Sequence, residues 1–283
     1  MPALYSWWAK YMFWASKNGF PFPPSPVNYR TKLIIGHRGS SANWPENTML
    51  AFKKAEEEGA HGIEVDVRTS SDGEFVVIHD LTVDRTTKES GSVINFTRSQ
   101  LENMDAGGWK GQEFEGLDDT KIPSLETVLD YFKGKEMFIF LHDADPNNDS
   151  NSLIDLVVDK GMLDQCIYFA TPQRIESALS YNNNILTVND GYRTDFENLL
   201  NLSTTQGWTA IGYNWTSITR EIVEEAHNSN MLFMATLILH SFESKTHEFI
   251  QKNVDWIMGD DCARMMAVYN SYGLTQIVPG ELN

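Results

Sequence analysis

From residue 32 onward the chain alternates short apolar runs with amphipathic stretches. The apolar runs fall at 32–35, 62–67, 75–78, 136–142, 166–170, 184–188, 209–213, 231–238 and 254–258. Helical spacing of apolar positions falls between them, at about 47–59, 124–132, 151–160, 173–181, 193–203, 219–228 and 243–252. Short apolar runs bounded by turn residues predict buried strands, and their alternation with helices predicts parallel strands joined by crossovers. The runs at 62–67 and 75–78 are separated only by the turn Ser71-Asp72-Gly73. Counting the weak 184–188 run as a strand, the expected fold is a closed (β/α)8 TIM-like barrel in which one strand pair lacks its helix. A doubly wound open sheet would alternate too, but it usually carries a glycine-rich phosphate loop after the first strand, and Gly36-His37-Arg38-Gly39 is not one.

Two stretches break the alternation. Residues 81–121 form an excursion with a predicted helix at 97–104 capped by Thr97, and loops of that length between barrel elements are usually functional. They are expected to lie over the barrel mouth, as an insertion after the second and third strands. Ser124 is the predicted N-cap of the helix that follows. Residues 1–30 form an extension. Trp7, Tyr11 and Trp14 make one stripe of a short aromatic helix, followed by the proline-rich segment at 21–26. That helix reads either as a cap on the barrel or as an interfacial segment making peripheral membrane contact; its having only Lys10 and Lys17 as basic side chains favours the cap. Residues 31–283 are expected to form a single catalytic domain.

Composition narrows the partners. A formal net charge of −17 is unsuited to nucleic acid, since nothing resembles a basic phosphate-tracking stripe. An anionic small molecule would have to be held by local cations. Cys166 and Cys262 are far apart and in no ligand spacing, so they read as ordinary buried thiols. No segment approaches the ~20 apolar residues of a membrane span. The N-terminus lacks the basic start and apolar run of a signal peptide. The compartment stays open: periplasmic or extracellular if a leader has been removed upstream, cytoplasmic otherwise.

The candidate chemistry lies at the ends of the first apolar runs. Glu64 and Asp66, at i and i+2 in a strand, place two carboxylates on one face. Two anions held that close in a core require a proton or a cation between them. His37 and Arg38 end the neighbouring run, and Val76-Val77-Ile78-His79-Asp80 repeats the pattern of an apolar strand ending in histidine and acid. A divalent metal, two histidines for proton transfer and an arginine for an anionic substrate together suggest a phosphodiester-cleaving site.

His37-Arg38-Gly39, Pro45-Glu46-Asn47-Thr48, Glu64-Val65-Asp66, Val77-Ile78-His79-Asp80, Arg85-Thr86-Thr87 and Ile122-Pro123-Ser124-Leu125-Glu126, in that order, resemble the glycerophosphodiester phosphodiesterase family. Val254 to Asp260 looks like that family's last strand. The resemblance implies a TIM-like barrel, a divalent cation (Mg²⁺ or Ca²⁺), and hydrolysis of glycerophosphodiesters, or related lysophospholipids, to glycerol 3-phosphate and an alcohol. By position it implies His37 and His79 as the acid/base pair, Arg38 on a phosphate oxygen, Glu64 and Asp66 as metal ligands and Glu46 as a further acid near the metal. Trp109 is a candidate pocket residue in the insertion.

The chain departs from the family at two strands. The family carries a third acidic ligand followed two residues later by lysine, where this chain reads Phe140-Leu141-His142-Asp143-Ala144. His142 falls either at the acid or at the lysine, and by parity it faces the barrel interior in both registers. It is therefore expected either to ligate the metal or to contact the phosphate. Near 234–240 the family's tryptophan-containing strand end is replaced by Met234-Ala235-Thr236-Leu237-Ile238-Leu239-His240, making His240 a candidate substrate contact. These departures leave room for a homologue with an altered reaction, or for a non-catalytic binder of phosphodiester headgroups or anionic glycans. Retention of both histidines counts against a binder.

Overall fold

The computed structural model describes residues 32–190, 195–237 and 242–274. The aromatic extension and His240 lie outside the described residues.

Eight parallel strands close into a barrel in the order β1 (Leu33–Gly36), β9 (Trp256–Gly259), β8 (Leu232–Leu237), β7 (Ala210–Tyr213), β6 (Leu186–Asn189), β5 (Cys166–Ala170), β4 (Phe138–Asp143) and β2 (Gly62–Thr69), with β2 pairing back to β1. The weak run at 184–188 is thus a true strand. The remaining strand, β3 (Phe75–Val77), pairs antiparallel with β2 and stands outside the closed barrel. Its turn needs glycine: Gly73 has φ +82°, and its N–H bonds back to the carbonyl of Ser70 at 3.1 Å.

Helices α1 (Met49–Glu57), α3 (Leu125–Phe132), α4 (Ser150–Lys160), α5 (Pro172–Tyr181), α6 (Phe196–Gln206), α7 (Arg220–Asn228) and α8 (Phe242–Gln251) alternate with the strands. A further helix, α9 (Cys262–Ser271), follows β9 and was not predicted. It is capped by Asp261, whose side chain accepts from the N–H of Arg264.

Parity along the strands sorts the core into two layers. Ile34, Ile63, Val65, Ile139, Leu141 and Tyr168 point outward and pack under the helices. Leu33, Ile35, Phe140, Ile167, Phe169, Trp256 and Met258 point inward and plug the barrel. Side chains that continue the inward parity above this plug, toward the carboxyl ends, emerge at the mouth. Catalytic groups gather at that end in this fold.

The insertion between β3 and α3 builds its own small core from Val83, Val93, Leu101, Met104, Ala106 and Ile122 against Val76 and Ile78 of the β3 run. Its short α-helix, α2 (Arg98–Leu101), carries the predicted Thr97 cap in a reciprocal box with Gln100. Ser124 caps α3 as predicted, accepting from the N–H of Thr127. Lys110 Nζ donates to the Ser41 carbonyl at 2.7 Å and Arg85 reaches Glu46, which ties the insertion to the loop between β1 and α1. Among the described residues no helix is long and apolar enough to cross a membrane.

Candidate active site

Barrel closure brings together residues that the sequence separates widely. Glu64 and Asp66 project inward from β2 and are buried, at 0% and 3% exposure. The β2–β4 register sets Glu64 level with Phe140 and Asp66 level with His142. Nδ1 of His142 therefore lies 2.9 Å from Asp66 Oδ1 and 3.4 Å from Glu64 Oε1. Phe169 on β5 packs against the imidazole, with ring centroids 4.6 Å apart.

The turn after β1 wraps around the same carboxylates. Arg38 takes a left-handed conformation (φ 57°), uncommon for a non-glycine residue, and this aims its backbone N–H at Glu64 Oε2, 2.9 Å away. Its side chain pairs with Glu46 at 2.8 Å and lies 3.3 Å from Asp66 Oδ2. Asn47, also left-handed (φ 54°), donates from Nδ2 to Asp66 Oδ2 at 2.7 Å and accepts the Asp66 N–H at 3.2 Å. Thr48 is the N-cap of α1. Glu46 receives a fork from Arg85, at 2.9 and 2.7 Å, as well as the bond from Arg38.

Each of the two predicted acid/base histidines stands against its own carboxylate. His37 Nδ1 is 2.6 Å from Asp260, which follows β9, and His79 Nδ1 is 2.6 Å from Asp80. An ionised carboxylate can only accept, so Nδ1 donates in both pairs and Nε2 is the ring nitrogen left for proton exchange. Asp80 also receives Arg85 Nε at 2.7 Å. The Arg85 guanidinium lies over the half-exposed Trp109 ring, 5.5 Å from its centroid, and Lys110 approaches the same ring at 5.7 Å.

The charges respond to this crowding. Burial opposes ionisation of Asp66, but the hydrogen bond from His142 and the nearby Arg38 and His79 hold its carboxyl far below the usual range. Burial disfavours the charged His142 ring, yet its bond to Asp66 and the nearby Glu64 carboxylate push it up to about 10. For His37, too, burial is outweighed: Asp260 and Glu64 raise it above the ordinary imidazole value. Glu46 is held below its usual range, against its burial, by Arg85 and Arg38.

Among the described residues, Oε1 of Glu64 is a buried carboxylate oxygen without a hydrogen-bond partner. The His142 Nδ1 proton is directed at Asp66, whose oxygen is the nearer. An orphaned buried anion is costly unless a cation serves it. Glu64, Asp66 and His142 each offer one ligand atom, all within 4.8 Å of one another, so these residues fit a divalent ion. Glu46 is not in this group, and two guanidinium groups contact its carboxylate. Asp143 lies on the opposite strand face, where Asn148, Ser150, Tyr168 and Arg174 bind it at 2.5 to 2.9 Å.

Asp260, Asp80 and the clamping role of Arg85 carried no assignment from sequence. Their one available signal was position: Asp260 follows the strand that neighbours β1, directly beside His37, and Asp80 is next to His79.

Comparisons with known proteins bear on the family and the fold. A curated glycerophosphodiester phosphodiesterase of Caldanaerobacter subterraneus is 48% identical over 107 residues, 38% of this chain and 43% of that one. The matched stretch thus spans less than half of that relative's length. The crystal structure of glycerophosphodiester phosphodiesterase from Agrobacterium tumefaciens superposes with a TM-score of 0.73 and 28% identity, covering 84% of this chain and 100% of that one. An Oleispira antarctica phosphodiesterase in complex with the product sn-glycerol-3-phosphate shares the fold, with a TM-score of 0.74 and 20% identity over 86% of this chain and 99% of that one. Residues 37–263, most of the chain, match the Glycerophosphoryl diester phosphodiesterase family, and the chain belongs to that family.

Proposed function

We propose that this protein hydrolyses glycerophosphodiesters, or related lysophospholipids, to glycerol 3-phosphate and an alcohol, with a divalent cation bound at Glu64, Asp66 and His142. The observation that carries this reading is the buried, unserved Glu64 oxygen set among two His–Asp pairs and an arginine. A binding module would gain nothing from two imidazoles whose Nδ1 atoms are both fixed by carboxylates. The relative whose structure holds glycerol 3-phosphate supports the same substrate class.

When bound, the cation would draw charge from a phosphoryl oxygen and lower the barrier to displacement. The remaining chemistry falls to side chains of this chain. Arg38 offers a fixed positive charge to the phosphate, held at the mouth by Glu46 and Asp66. His37 and His79 exchange protons through Nε2: one takes the proton of the attacking hydroxyl and the other gives one to the departing alkoxide. The carboxylates of Asp260 and Asp80 hold each ring in a single tautomer. Trp109, with Arg85 behind it, presents an apolar face at the rim for the alcohol portion of the substrate.

The test is release of glycerol 3-phosphate from glycerophosphocholine, measured with EDTA and with added divalent ions. Metal-dependent release, lost in His37→Ala and in His79→Ala, is expected. Turnover by His37→Ala at the wild-type rate would remove the acid/base assignment.

A further inference from the structure

We infer that the centre at the barrel mouth selects a nitrogen-accepting ion of the first transition row, such as Mn²⁺, Fe²⁺ or Zn²⁺, over Mg²⁺ or Ca²⁺, and that His142 sets this choice. The inference rests on the cation-dependent reading above and deepens it.

The strand register leaves little freedom about the third donor. Asp66 and His142 are level on adjacent strands and share the inward parity, so the side chain completing the pair of carboxylates is an imidazole. Its Nδ1, not merely the ring edge, meets Asp66 Oδ1 at 2.9 Å and Glu64 Oε1 at 3.4 Å. Phe169 packs on the ring and fixes its plane. Glu46 is held by two arginines, Asp260 by His37 and Ser41, and Asp143 faces the helices, and among the described residues no other carboxylate, histidine or cysteine ligand atom lies within 4.8 Å of all three. The donor set is therefore one nitrogen and two carboxylates.

That set has a chemical preference. Mg²⁺ and Ca²⁺ are hard ions that take oxygen ligands almost throughout. Imidazole suits the borderline ions of the transition series, while the two carboxylates remain acceptable to them. An acid at this strand, as the family carries, would give an all-oxygen site; histidine at 142 exchanges one oxygen for nitrogen and lowers the negative charge of the donor set by one.

The experiment uses the full chain, stripped with EDTA, dialysed, and loaded separately with Mn²⁺, Co²⁺ and Mg²⁺. Pulsed electron paramagnetic resonance of the Mn²⁺-loaded protein should show nitrogen coupling from a directly bound imidazole, lost in His142→Glu. Nearly any site prefers Co²⁺ to Mg²⁺, so the informative calorimetric quantity is the change in the Co²⁺/Mg²⁺ affinity ratio on substitution, expected to fall by about tenfold or more. His142→Asp serves as the second variant should the longer side chain disturb folding, which circular dichroism would report. Metal binding without nitrogen coupling, or with a ratio unmoved by either variant, overturns the inference and leaves the cation-dependent hydrolysis standing. Failure of every ion to bind overturns both.

Discussion

Asp260→Asn isolates the role of a residue 223 positions from the histidine it supports. The native contact is a 2.6 Å hydrogen bond between His37 Nδ1 and a carboxylate, with the histidine side chain only 11% exposed. A hydrogen bond to a charged group is worth about 1.5–3 kcal/mol and a neutral one about 0.5–1.5, so loss of the charge removes roughly 1–2 kcal/mol. That difference stabilises the protonated ring, so the His37 pKa falls in the variant. The direction follows from the competing causes: burial pulls His37 down, Asp260 and Glu64 raise it, and the variant keeps the burial. Whichever limb of the pH profile His37 controls, the acid limb if it accepts a proton or the alkaline limb if it donates one, that limb moves to lower pH. The expected loss in kcat/KM at neutral pH is roughly 5–30-fold. The assay is kcat/KM for glycerophosphocholine from pH 5 to 9, with urea unfolding as a control for the fold. A profile superimposable on the wild type, with kcat/KM within twofold, would refute the argument that Asp260 holds His37. The partner variant Asp80→Asn should cost less, since the His79 and Asp80 side chains are 37% and 29% exposed and water can replace the lost partner.

Gly39→Ala should unfold at a clearly lower urea concentration, because a left-handed residue costs about 1–2 kcal/mol and the added Cβ would also meet the Ala51 backbone at 2.6 Å; an unchanged midpoint would mean that α1 can shift freely. Asp143→Ala strands Arg174 and Tyr168 and should cost about 3 kcal/mol of stability, while turnover per folded molecule is preserved because Asp143 faces away from the mouth; loss of turnover without loss of stability would contradict that placement. His61 is buried and neutral, its pKa lowered to about 4 by burial, against an unfolded value near 6.5. The unfolded chain therefore binds the extra proton first, and about 3 kcal/mol of stability should drain away as pH falls from 6.5 to 4. His61→Gln, which keeps an acceptor for the Ile34 N–H, should flatten that slope in urea titrations; an unaltered slope would place the acid sensitivity elsewhere.

The fold was legible because its signal is periodic. A buried parallel strand reads as an unbroken apolar run, and each run from 32–35 to 254–258 became a strand. Two elements escaped. Helix α9 was missed although its buried Cys262, Met265, Met266 and Tyr269 stand at i, i+3, i+4 and i+7, so the stripe was there to be read. β3 reads like its neighbours along the sequence, and only the antiparallel pairing of Val67 with Val77 shows that it turns back outside the barrel.

Contrast decided which site residues could be read. Glu64 and Asp66 stand out because a charge inside an apolar strand is expensive unless something uses it, and His37 and His79 stand out as polar ends of apolar runs. Asp80 and Arg85 occupy a stretch already rich in acids and threonines, and Asp260 stands beside a second aspartate, Asp261, so in neither place does one more charge carry surprise. Their importance exists only after the chain closes, when Asp260 comes beside His37 across the β1–β9 seam and Arg85 spans from Asp80 to Glu46. His142 lies between the two cases. Parity fixed its direction from sequence, but whether it met Asp66 or a phosphate further out depended on the register between β2 and β4, which no local pattern encodes. Side chains whose burial is costly in themselves are therefore visible in one dimension. Partners that make that burial tolerable become visible only in three.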